Sequence, residues 1–291
     1  MDRSGLSALL WVRRTDYHRP GDPVNQRLVW ILTVSVLAAC GGARQAPAPI
    51  YDLRATPVPL EYAAEVRSLT VVETPGGEQE IASTTTIVMT IAYGAPTSDG
   101  LPIEVVFSEF STEGPAPDLS AMLGLPFRGI VGEGGEIELT ETPDLDVPGF
   151  DAASLLQVIN PLVIPLPPSG HPTEEAWPLQ RSRDPGGGLT GESTFEGSAR
   201  FAADTVWNGI PTRWLVASGD VKTRASGSPA GAPGEVDLDS EGESEISYAW
   251  DAARGVVLHV AVEIELDGTV STQGMVLPLT IETSATYDLV E

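Results

Sequence analysis

The sequence predicts an all-β fold: long antiparallel strands in one or two curved sheets, as an incomplete barrel or a sandwich, with two short helices. Three observations predict it. The 291 residues include 30 Gly and 25 Pro, a load that suits many turns and opposes a helical bundle. Apolar residues make up 42% of the chain, enough for a core, and in its last third they recur at every second position. That is the period of a strand with one buried and one solvated face. Turn dipeptides also fall between the alternating segments.

The strands begin after residue 60. Val66–Val72, Thr84–Tyr93, Ile103–Phe110, Arg128–Val131 and Glu136–Thr140 read as a first β half within residues 61–168. Two short helices interrupt it. One covers Leu119–Leu123 between Asp118 as cap and Gly124. The other covers Ala152–Ile159, capped by Asp151 and stopped by Asn160-Pro161. Residues 169–189, ending in Pro185-Gly186-Gly187-Gly188, read as a linker loop. A second β half fills 190–291. It holds a hairpin at Asn208-Gly209, a flexible insertion at 226–242 and a strand at Ile246–Trp250 that turns through Asp251–Gly255. In Val256–Leu266, Val256, Leu258, Val260, Val262, Ile264 and Leu266 share one face. Met275–Leu289 alternates in the same way, with Leu279 inward and Thr280 outward. Asp267-Gly268, a dipeptide that tolerates positive φ, is the expected turn between them.

The segment before residue 61 reads as an address. Arg27 precedes the apolar run Leu28–Ala39, which ends in Leu37-Ala38-Ala39-Cys40-Gly41. A positive residue, a short apolar run and small residues make a secretory signal peptide over 1–39. The run is too short to span a bilayer, which takes about 20 residues. The polar stretch holding Asp16, Pro20, Asp22 and Pro23 is unlike a compact positive region, and a translation start near Val24 accounts for it. Residues 40–60, rich in Pro, read as a tether.

Leu37–Gly41 resembles the lipobox of bacterial lipoproteins. The resemblance implies cleavage before Cys40, acylation of its thiol and amino group, and a lipid-anchored envelope protein. Gly41 stands where an inner-membrane retention signal commonly has Asp, which implies the outer membrane in a host with two membranes. The rest of the chain resembles a loose group of uncharacterised bacterial lipoproteins. Gly129-Ile130-Val131, Gly135-Glu136-Ile137, Leu166-Pro167-Pro168 and Trp177 carry that likeness; Glu174 stands where the group usually has Gly. It implies an all-β envelope protein and carries over no catalytic residue.

Charge and composition bound the chemistry. With 41 Asp+Glu against 16 Lys+Arg the formal net charge is −25, which argues against a nucleic-acid partner. One cysteine excludes an intrachain disulfide and a thiolate-rich metal site. After Cys40 only His171 and His259 remain. His171, near Glu174 and Glu175, is one imidazole with two loop carboxylates, too few for an expected metal site. His259 sits mid-strand on the polar face, where a solvated or cross-strand-bonded ring is the expectation. Asp237, Asp239 and Glu241 before Gly242 have the spacing of a calcium loop's opening. The position that should hold a bidentate Glu is Tyr248, so a solvated acidic loop is the better reading. There is no Gly-x-Ser-x-Gly elbow. Trp207, Trp214 and Trp250 are candidates for a ligand cavity or, more simply, for the core.

These readings give no catalytic residue, no cofactor and no metal. The expectation is a non-enzymatic, lipid-anchored envelope protein that binds an apolar ligand or presents a surface to other envelope proteins. The alternative is a hydrolase of envelope polymers using Asp or Glu, for which two carboxylates facing each other in a cleft would speak.

Overall fold

The computed structural model describes residues 58–115, 119–132, 135–143, 151–168, 174–229 and 234–290, all within the compact unit Ala46–Glu291. The signal segment 1–39, Cys40, most of the tether, Asp118 and His171 lie outside the described residues.

Eleven strands form one antiparallel sheet: β1 (Leu60–Thr74), β2 (Gly77–Tyr93), β3 (Leu101–Glu113), β4 (Pro126–Val131), β5 (Ile137–Glu141), β6 (Trp177–Arg183), β7 (Leu189–Trp207), β8 (Ile210–Gly227), β9 (Val236–Asp251), β10 (Val256–Thr272) and β11 (Met275–Val290). Their order is β5-β4-β3-β2-β1-β11-β10-β9-β8-β7-β6. Every paired neighbour follows in sequence except β1 and β11, which join the chain's first and last strands in mid-sheet. The edges are β5 and β6, so the sheet is open and the two expected halves are continuous.

Alternation supplies the buried face. Across five adjacent strands Tyr287, Val260, Tyr248, Leu215 and Phe201 stand in one row, followed by Ala285, Val262, Ile246, Ala217 and Ala199. The segment joining β5 to β6 covers this face. It contains α1 (Ala152–Ile159) and a 3₁₀ turn, Asn160–Leu162. Leu155, Ile159, Leu162, Val163 and Ile164 are each at most 2% exposed and belong to the same core as Tyr248 and Val260. Burying a side chain of that size is worth about 1.5–3 kcal/mol, and this is what holds α1 on the sheet. Asp151 caps the helix as expected, accepting from the Ser154 amide at 2.8 Å. The expected helix at 119–123 is instead a single 3₁₀ turn, Ser120–Met122, with Met122 buried.

Three other expectations are corrected. Asp267-Gly268 is not a turn: β10 runs on to Thr272, and the hairpin turns at Gln273-Gly274, with φ of 50° and 80°. Gly268 pairs with Leu279 and Ser240 inside the sheet. A Cβ there would lie 2.2 Å from the Asp239 carbonyl oxygen, so the glycine serves close approach between strands. The insertion 226–242 is mostly strand, since β8 reaches Gly227 and β9 begins at Val236. Its inward residues are Leu238, Ser240 and Gly242, and with a single hydrophobe among them the stretch resembles a loop. The linker 169–189 likewise holds the edge strand β6, and Leu189 already belongs to β7. The hairpin at Asn208-Gly209 is as expected, with φ of 47° and 84°, the positive pair that a two-residue turn of matching twist needs.

Candidate functional site

Among the sequence candidates, His259 acquires partners. From β10 its Nδ1 lies 2.7 Å from Asp288 Oδ1 on β11, and its ring stacks on Trp207 with centroids 4.4 Å apart. Trp207 also meets Trp214 at 6.1 Å. These rings cover a small second apolar cluster of Ala249, Val256 and Leu258, on the face opposite the main core. Val256 and Leu258 were expected on the face of Val260, but a bulge between Val257 and His259 reverses them and leaves Val257 in the main core. Trp250 points the other way and is fully buried beside Phe201. The three tryptophans therefore line no common cavity. Trp214 pairs with Ala249, one residue before Trp250, and one residue reverses the face.

Asp237, Asp239 and Glu241 form no calcium loop. They project, exposed, from alternate positions of β9. Glu174 and Glu175 are exposed ahead of β6. Among the described residues there is no group of three or more His, Cys, Asp or Glu placed to hold a metal ion.

Strand register reveals what the linear sequence did not. On the outward face Glu282, Glu265, Glu243, Asp220 and Glu196 stand directly opposite one another on five successive strands, β11 to β7. Glu263 faces Glu245 in the next row. All seven are exposed. Like charges directly opposite on neighbouring strands repel. A cleft of about 810 Å³ crosses this part of the sheet, lined by six of these carboxylates, Arg67 and short residues such as Ser68, Ser218 and Thr283.

The inward side of β6 contributes the contrasting charge. Arg181 and Arg183 continue the face of Trp177 and Leu179. Arg181 Nε and Nη2 are buried without a hydrogen-bond partner among the described residues, as is the Tyr248 hydroxyl. Desolvation, then the Arg181 charge, lowers the Arg183 pKa, against an upward pull from Tyr287. Burial pushes the Tyr248 hydroxyl up to about 12, against a downward pull from Arg181. Burial likewise raises Tyr287. These phenols stay neutral at physiological pH.

The loop before β7 is fastened to α1. The Ser154 hydroxyl donates to Asp151 at 2.8 Å and accepts from the Gly187 amide at 2.9 Å, and Gln157 donates to the Pro185 carbonyl. Partial burial works to raise the Asp151 pKa. Hydrogen bonds from Ser154, Gly188 and Gly187 outweigh it and hold the carboxyl below its ordinary value.

No protein-family model matches the chain, and no curated protein matches it. A solved structure described as "Asymmetric conductivity of engineered proteins" aligns over 79% of this chain and 99% of its own, at 9% identity. The TM-score is 0.20, too low for a shared fold to be read from it.

Proposed function

We propose that the chain is a non-enzymatic, lipid-anchored protein of the bacterial cell envelope, in the outer membrane where the host has two, and that it presents the surface of its sheet to other envelope components. The observation that carries the surface reading is that the half of the inward face under α1 is filled. Leu155, Ile159, Leu162, Val163 and Ile164 occupy the space where a carrier would hold its ligand. The anchoring half of the reading rests on the lipobox-like Leu37–Gly41. Mass spectrometry of the protein from a bacterial host is expected to find acylated Cys40 as the first residue; a retained 1–39 segment would refute it. An apolar ligand is the narrower alternative, and an apolar fluorescent probe decides between the two. A flat titration fits the filled interior, and saturable enhancement displaced by fatty acid would put the carrier first.

Hydrolysis of an envelope polymer has one observation in its favour: Glu263 opposite Glu245, and Glu265 opposite Glu243, in a cleft. These carboxylates are exposed, whereas the acid of a glycosidase pair is held protonated by apolar walls. Turnover of a glycan or peptide that is lost in Glu265→Gln would establish it.

A further inference from the structure

The open ends of the long strands make two rims, and they differ. β1 starts, β7 ends, β8 starts and β11 ends at one rim, so the chain arriving from Cys40 enters the sheet there, at Val58 and Leu60. Val58, Val206 and Val290 at this rim are 65%, 64% and 43% exposed. Beside them Leu60, Trp207 and Ile210 are half-buried members of one apolar cluster. We propose that this rim lies against the lipid surface that holds the Cys40 anchor, with Trp207 at the interface and Val206 entering it. The proposal deepens the lipid-anchored reading and rests on it.

Three features commit the rim to a bilayer. The first is charge. On β7–β11 the carboxylates nearest this rim are each engaged: Asp204 pairs with Arg213 at 3.0 Å and Asp251 with Arg254 at 2.5 Å, and Asp288 lies 2.7 Å from the His259 ring. On β1 a single exposed carboxylate, Glu61, stands opposite Val290. The uncompensated carboxylate rows lie farther along the same strands. An anionic lipid surface attracts cations and repels such rows, so this rim is the end that can approach it. The second is reach. Seventeen residues separate Cys40 from Val58, and the eighteen steps between them span at most about 60 Å. The 17 residues of β10 run about 55 Å. Bringing the opposite rim to the membrane would pull the tether nearly taut, whereas this rim needs almost none of it. The third is chemistry: Trp beside aliphatic residues is the composition that settles at a lipid–water interface. The opposite rim also exposes Met275, Val276 and Ile81, but with Glu73, Glu78 and Glu80 around them and no tryptophan.

The test places the acylated full chain on phosphatidylcholine–phosphatidylglycerol vesicles and measures quenching of tryptophan emission by lipids brominated near the headgroup. Quenching is expected, and it should disappear in Trp207→Phe. Val206→Asp should abolish it while the protein still co-sediments with the vesicles and keeps its melting temperature, because position 206 is exposed. Val276→Asp at the other rim should leave it intact. Co-sedimentation without quenching would overturn the rim proposal and leave the anchor standing. An unacylated Cys40 with no co-sedimentation would overturn the anchor itself. Quenching lost equally in both Asp variants, or a dimer in detergent that Val206→Asp dissociates, would assign the rim to another occupant and also overturn the proposal.

Discussion

The two halves of the long strands use the same alternation for different ends. Near the rim of Val58, Val206 and Val290 the inward positions hold Tyr287, Val260, Tyr248 and Leu215, all at most 2% exposed and covered by α1. Farther along the same strands they hold Ile264, Ser244, Gly219 and Gly197, then Gly242 and Gly268. There the outward face carries the carboxylate rows. Period two thus fixes which way a residue points, not what is worth placing there. One half is built by burial. The other mixes scattered apolar residues, Val221, Leu266 and Leu279, with glycines where the backbone itself makes the close contacts, since a Cβ on Gly219 would come within 2.5 Å of the Gly197 Cα.

The largest effect should come from the packed half. Leu215→Ala removes a fully buried side chain from the middle of the core row and is expected to cost about 2–5 kcal/mol in urea unfolding. The same truncation at Leu279, 6% exposed at the far end, should cost clearly less. Equal losses would erase the contrast between the halves. Leu279→Asp should still destabilise more than Thr280→Asp, because Leu279 points inward and Thr280, bonded to Asp267 at 2.8 Å, points outward.

In the farther half a glycine should matter more than a hydrophobe. Gly242→Ala would set a Cβ against the Glu265 carbonyl oxygen and is expected to lower stability by about 2 kcal/mol. Gly76→Ala, in the turn between β1 and β2 with room around it, should be nearly neutral. Calorimetry of the two variants checks whether strand approach or turn freedom is the constraint.

Asp151 tests the cover over the packed half. Asp151→Ala removes the helix cap and should cost about 1 kcal/mol. The hydrogen bonds hold the folded carboxyl below its ordinary value, so its contribution is complete above the ordinary carboxylate range and is lost as pH falls through the folded value. The wild type should therefore lose more stability than Asp151→Ala on acidification below about pH 4, and parallel curves would dismiss the cap.

The smallest effect lies in the carboxylate rows. Glu265→Lys replaces a member of a like-charged ladder, flanked by Glu282 and Glu243, with an opposite charge and should stabilise by about 0.2–1 kcal/mol at low salt, a gain that added salt shrinks. A loss of stability at low salt would mean that the row is compensated in solution.

Much of this was readable without coordinates. The alternation of 260–266 and 275–289, the Asn208-Gly209 turn and the Asp151 cap are local patterns, and each is present. At 256–258 a bulge between Val257 and His259 breaks the alternation and turns Val256 and Leu258 to the other face. His259 took a cross-strand partner, as a mid-strand polar residue should. What failed depended on distance along the chain. Gly268 looked like a turn because its role, admitting the Asp239 carbonyl, is set by a strand almost thirty residues earlier. The first part of β9, Val236–Gly242, looked like a loop because its inward residues, Leu238, Ser240 and Gly242, include only one hydrophobe. Its outward residues told the truth: Asp237, Asp239, Glu241, Glu243 and Glu245 fall at every second position, a strand signal written in charge instead of hydrophobicity. That Glu265 would meet Glu243 required register, which no single segment contains. The rim of Val58, Val206 and Val290 joins residues from before the first strand, from β7 and from the last strand, so no stretch of sequence displays it.

The pairing of β1 with β11 bears on how the molecule comes to exist. β1 is made early and its second neighbour last, with Val72 opposite Leu279 and Tyr62 opposite Leu289. Closing that gap confines more than two hundred intervening residues, and long-range pairings of this kind make folding slow. Until the final strand arrives, β1 has an unpaired edge in the centre of the future sheet, where an exposed strand edge invites association with other chains. A nascent chain truncated before Met275 should carry that open edge permanently, and aggregation, rather than a smaller folded sheet, is its expected fate.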